Sequence, residues 1–108
     1  MIANYSHEFI CAIDAAYSLY PDIKNYINGI SVNFEMQHGL GQLDIKEREF
    51  MFWFNSNLMS CETVHHEVAH MVCYCLDLPM DHGEDFLVIK KRISEFCAND
   101  ERSCFIPD

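Results

Sequence analysis

At 108 residues the chain can bury one core but not two, so a single domain over 1–108 is expected, and its 50% hydrophobic content argues against disorder. Seven basic residues against seventeen acidic ones give a formal net charge of −10, which repels nucleic-acid phosphates and acidic membrane surfaces. DNA binding by this chain alone is therefore not expected. No apolar run approaches the roughly 18 to 20 residues of a membrane span, and the N-terminus lacks a basic stretch followed by an apolar one. A cytoplasmic location follows as the expectation, with the six cysteines reduced rather than paired.

In chain order, Phe9, Ile10, Ile13, Ala16, Tyr17 and Tyr20 recur at helical spacing and predict a first helix from about Ser6 to Tyr20, stopped by Pro21. After Asn28-Gly29 the period changes. Ile30, Val32 and Phe34 alternate with Ser31 and Asn33, the signature of a half-buried strand. Gly39 and Gly41 bracket a turn into a second strand carrying Leu43 and Ile45. The run Phe50-Met51-Phe52-Trp53-Phe54 predicts a third strand with both faces covered, ended by Asn55-Ser56-Asn57.

Ser60 is a suitable N-cap for the next helix, and Glu62 suits its positive end. Pro79 biases Leu78 away from helical geometry, which sets the helix end near Asp77. A last helix is predicted from about Glu84 to Cys97, burying Phe86, Ile89, Ile93 and Phe96, followed by an irregular polar tail. The order α, three β, α, α makes this an α+β domain. Lys90-Lys91-Arg92, the one basic run, reads as a solvated helix face.

His66-Glu67-Val68-Ala69-His70 carries the chemistry. Residues at i and i+4 share a helix face, so His66 and His70 can present two imidazoles to one metal ion, with Glu67 about 100° round the helix as a candidate general base. Val64, Val68, Met71, Val72 and Cys75 form the apolar stripe, and the two histidines point away from it. Two imidazoles leave a tetrahedral zinc ion short of a protein ligand. His82, eleven residues after His70 and just past the turn at Pro79, is preferred as the third over the oxygen ligands Asp81, Glu84 and Asp85. His65 falls about 100° from His66 and is assigned to packing or surface. His7 and His38 have no partner at ligand spacing. No Cys-x-x-Cys pair occurs, which argues against a cysteine zinc site.

The His66–His70 motif followed by His82-Gly83-Glu84-Asp85-Phe86 resembles the SprT-like zinc metalloprotease family, whose pattern is H-E-x-x-H and then H-G-x-x-F opening the next helix. A helix and short strands ahead of the metal helix are similar too. The resemblance implies a zincin-like minimal SprT fold: an N-terminal helix, a three-stranded sheet, a metal-binding helix and a C-terminal helix. It also implies Zn2+ held by His66, His70 and His82, Glu67 as catalytic base, and a protein or peptide as substrate, in several members a protein crosslinked to DNA. The four-cysteine ribbon of many members has no counterpart here, and no basic segment replaces it. Tyr74 and His65 are the candidates on the helix for a second oxyanion donor. The reading from a different class is a non-catalytic, zinc-stabilised protein-binding domain.

Overall fold

The computed structural model describes residues 5–58 and 60–100. Helix α1 (Tyr5–Leu19) and a single-turn helix α2 (Ile23–Tyr26) lead into strands β1 (Gly29–Asn33), β2 (Gly41–Lys46) and β3 (Glu49–Phe54). Helices α3 (Cys61–Cys75) and α4 (Glu84–Ala98) complete an α+β fold. The predicted tail reaches beyond residue 100 and there lies outside the described residues, as does Cys104.

The sheet order is β1-β3-β2, so the aromatic strand is the central one. β3 runs parallel to β1 and antiparallel to β2, with Val32 and Leu43 both in register with Phe52. Its side chains alternate as a strand must. Phe50, Phe52 and Phe54 are buried under the helices, whereas Met51 and Trp53 on the other face are only half-covered. The expectation of two covered faces is thus corrected. Helices lie against one face, and partial cover suffices on the other because an antiparallel pair tolerates solvent there.

Glu47 and Arg48, both at positive φ (53° and 63°), make the two-residue turn between β2 and β3. Positive φ at both positions matches the natural strand twist, but Asn-Gly is its usual sequence, which is why no turn was legible in Glu-Arg. Asn28 ties the turn to the start of β1. Its backbone N–H donates to the Arg48 carbonyl at 2.8 Å, and its side-chain amide donates to the Glu47 carbonyl at 3.0 Å.

α1 packs on α3 and α4, and α3 packs on β2 and β3. Ala12, Ala15 and Ala16 are fully buried, and such small side chains let α1 approach its neighbours closely. Phe9 reaches the sheet, its ring 4.9 Å from that of Phe52 in an edge-to-face contact. Ile10 was expected inside but is 45% exposed. The buried arc of α1 runs through Glu8, Phe9, Cys11 and Ala12 instead, placing a carboxylate where the apolar pattern put an isoleucine. Among the described residues no helix is long and apolar enough to cross a membrane.

Candidate metal centre

The connections around α3 explain how three histidines meet. Ser60 caps the helix, its backbone N–H donating to Thr63 Oγ1 at 3.3 Å. At the other end Leu78 N–H reaches back to the Cys73 carbonyl at 2.8 Å, and Asp77 N–H to that of Tyr74 at 3.2 Å. Asp77 itself sits at φ 57°. This is the crossed-bond stop that usually takes glycine in the left-handed position, followed here by Pro79. It ends the helix at Cys75, two residues earlier than expected, and turns the chain back.

The returning segment is held by Asp81. Its Oδ1 accepts the Gly83 N–H at 3.0 Å, and Gly83 is the N-cap of α4. A β-carbon at Gly83 would stand 2.9 Å from that same oxygen, so a larger residue there would push the Asp81 carboxylate aside. His82 lies in the middle of the turn and is thereby aimed at α3. Asp81, weighed as a rival ligand, instead spends this oxygen on the turn.

The Nε2 atoms of His66 and His70 are 3.2 Å apart, those of His70 and His82 3.1 Å, and those of His82 and His66 3.2 Å. Neutral imidazoles cannot satisfy such a triangle with protons, because each Nε2 either donates or accepts and never both, so two of the three atoms always share a role and repel. Full protonation would crowd three positive charges together. One shared cation resolves the problem, since neighbouring ligands on tetrahedral zinc at roughly 2.0 to 2.1 Å lie about 3.3 Å apart. The residues present therefore fit a zinc ion. Burial and the other two histidines push the His70 imidazolium down to about 4, and burial, then His82 and Lys90, lower that of His66. Both are thus held in the neutral form that can ligate.

Phe86 backs the cluster, with its ring centre 4.9, 4.5 and 5.1 Å from those of His66, His70 and His82. This contact gives the phenylalanine of the second motif a physical role. Among the described residues His70 Nδ1 is buried with no hydrogen-bond partner, and the Phe86 ring packs against that imidazole. Among the described residues, no fourth His, Cys, Asp or Glu joins the group.

Glu67 stands beside the cluster, with Oε2 4.0 Å from His66 Nε2 and its side chain 12% exposed. Burial raises its carboxyl to about 7. A cleft of about 490 Å³ opens here, lined by Leu40, Gly41, Ser60, Glu62, Thr63 and His66 as well as Glu67. β2 is an edge strand, and its first residue presses against α3 at this point. A β-carbon on Gly41 would lie 3.1 Å from Thr63 Cγ2, 3.2 Å from Phe54 Cδ1 and 3.3 Å from Glu67 Cγ. Gly41→Ala should therefore lower stability by about 1–2 kcal/mol through overpacking. Gly29→Ala, whose nearest neighbour would be at 3.7 Å, should be tolerated. Urea midpoints of the two variants make the comparison; equal midpoints would contradict the tight approach at Gly41.

Neither candidate for a second oxyanion donor reaches the cleft. Tyr74 packs against Tyr26 and Phe50 and lines a separate cavity with Cys75 and Met80. His65 is fully buried, with Nε2 2.5 Å from Glu8 Oε1 and Nδ1 2.8 Å from Ser94 Oγ. Packing, not surface, is its place. Ser60 and Thr63 are the hydroxyls that do line the cleft.

Cys73, Cys75 and Cys97 are free thiols. Burial pushes the Cys75 thiol up to about 11 and the Cys97 thiol up to about 12, so neither is a ready nucleophile or ligand. Cys61 is the correction, for it is disulfide-bonded. A disulfide at the first residue of α3 runs against the expectation of six reduced thiols. No family model, no curated protein and no solved structure matches the chain.

Proposed function

We propose that the chain is a zinc-dependent metallopeptidase of the SprT-like kind, with His66, His70 and His82 as ligands and Glu67 as general base. The observation that carries this reading is the triangle of imidazole nitrogens, 3.1 to 3.2 Å on a side, with the largely covered Glu67 carboxyl next to it and an open cleft alongside. Zinc, when bound, supplies a Lewis acid that polarises a carbonyl and acidifies water.

The chain's own groups account for the rest. The Glu67 carboxylate takes a proton from the attacking water and delivers it to the leaving amine. A carboxyl raised to about 7 suits both halves of that task near neutral pH, and a bound cation would lower it. An extended polypeptide could lie in the cleft beside β2, whose outer backbone edge is not paired within the sheet.

The test is cleavage of an unfolded protein by the zinc-loaded chain, with and without DNA. Cleavage should stop on chelation and return with zinc, without requiring DNA, because a chain of net charge −10 has no general attraction for it. Stoichiometric zinc with no hydrolysis of any polypeptide would refute the enzyme and leave a structural metal.

A further inference from the structure

We infer that Glu8 and Ser94 are positioning residues for the three-histidine centre: they clamp His65 from two different helices and so fix the rotation of α3 about its own axis. The inference rests on the metal reading above and names residues that no motif contains.

The geometry is specific. His65 immediately precedes the ligand His66 on α3 and is wholly buried. Its Nε2 meets Oε1 of the equally buried Glu8 from α1, and its Nδ1 meets the hydroxyl of Ser94 from α4. Both ring nitrogens are thus committed, each to a different neighbouring helix. Ser94 is on the same helix as Phe86, the ring that backs the ligands. One polar contact therefore registers α3 against the element that also follows His82.

A metal centre needs such a device. An imidazole Nε2 projects roughly 6 Å from the helix axis, so turning α3 by about 10° would move it by about 1 Å. Metal–ligand distances tolerate about 0.2 Å. The apolar face of α3 is poorly suited to fix that angle. Val64, Val68 and Val72 are alike in size and shape, and hydrophobic contact is non-directional. Two directional bonds at His65 are sensitive to the same rotation. A buried carboxylate–imidazole pair is also a weak choice for stability alone, because desolvation offsets much of the attraction.

The cluster could be mistaken for a second metal site, since Cys97 Sγ also lies within 4.8 Å of the Glu8 and His65 ligand atoms. The distances separate the two clusters. Glu8 and His65 are 2.5 Å apart, a short hydrogen bond, against the 3.1 to 3.2 Å among His66, His70 and His82 that suits a shared ion. Ser94 already occupies the other nitrogen of His65.

The experiment measures zinc affinity by chelator competition and the visible spectrum of the cobalt-loaded full chain. Both are taken at a temperature where circular dichroism shows each variant folded. Glu8→Gln should weaken zinc binding about 10- to 100-fold, and Ser94→Ala about 3- to 10-fold, with altered cobalt bands in each, as for partners that orient metal ligands. Ser94→Thr, which keeps the hydroxyl, should bind as wild type does. If both folded variants match the wild type in affinity and cobalt spectrum, the inference is overturned, whatever happens to melting temperature. Should Glu8→Gln not fold, Ser94→Ala at the half-exposed end of the network decides alone. Two zinc ions per wild-type chain would also overturn it, by making His65 a ligand. A wild type that binds no zinc would defeat the metal reading itself, and that failure shows in the parent protein rather than in the variants.

Discussion

Glu67→Gln is expected to keep one zinc per chain and to lose at least about a hundredfold in hydrolysis, the usual scale for a general base. The substitution preserves shape and leaves the three imidazole nitrogens untouched, so metal analysis and activity should part company. If the variant hydrolyses at the wild-type rate, Glu67 is not the base. A second readout follows from the carboxyl being raised to about 7 from its ordinary 4.5. Between those two pH values the unfolded chain has released this proton while the folded, metal-free chain still holds it. Stability of the metal-free protein therefore falls as pH rises through that window. The whole effect is on the order of 3 kcal/mol at most, and the side chain is only 12% exposed, so solvent screens it little. Without metal, Glu67→Gln should melt higher than wild type at pH 8, with the difference closing towards pH 4.5. Thermal melts in chelator at the two pH values check it.

The parts of the molecule legible in the sequence are those set by local rules. The i, i+4 histidines, the serine cap and the proline that follows α3 each act within a few residues, and α3 begins where they place it. His82 could be placed beside His66 and His70 because a turn shortly after Pro79 leaves little choice of direction. Less legible was anything that depends on distant partners. Glu8 and His65 are 57 positions apart, and no period marks a carboxylate as buried. Gly41 reads as a turn residue until β2 is seen against Glu67. The one-turn helix α2, the Glu47-Arg48 turn and the parallel pairing of β1 with β3 are likewise settled by tertiary contacts that override propensity. The Cys61 disulfide could not be read from spacing, which does not reveal which sulfurs meet.

His70→Ala should separate the metal's contribution from that of packing. Among the described residues the buried His70 Nδ1 has no hydrogen-bond partner, and burial with the other two histidines holds the imidazolium pKa down to about 4. The ring therefore contributes little to the fold by hydrogen bonding; its burial is compensated only when the other nitrogen holds a cation. In chelator, wild type and His70→Ala should melt within a few degrees of each other near neutral pH. With zinc at about 100 times its dissociation constant, wild type gains about 2.7 kcal/mol. For a domain of this size that corresponds to roughly 10 to 20 °C, while the variant, left with two imidazoles, should gain little. Acid provides the complementary test. The His70 pKa is depressed in the fold, so from about 6.5 down to about 4 the unfolded chain binds a proton that the folded one refuses. Metal-free wild type should lose stability across that window as pH falls, and His70→Ala should lack that part of the slope. A zinc-induced shift of equal size in both proteins would show that the ion is held somewhere other than the triangle of His66, His70 and His82.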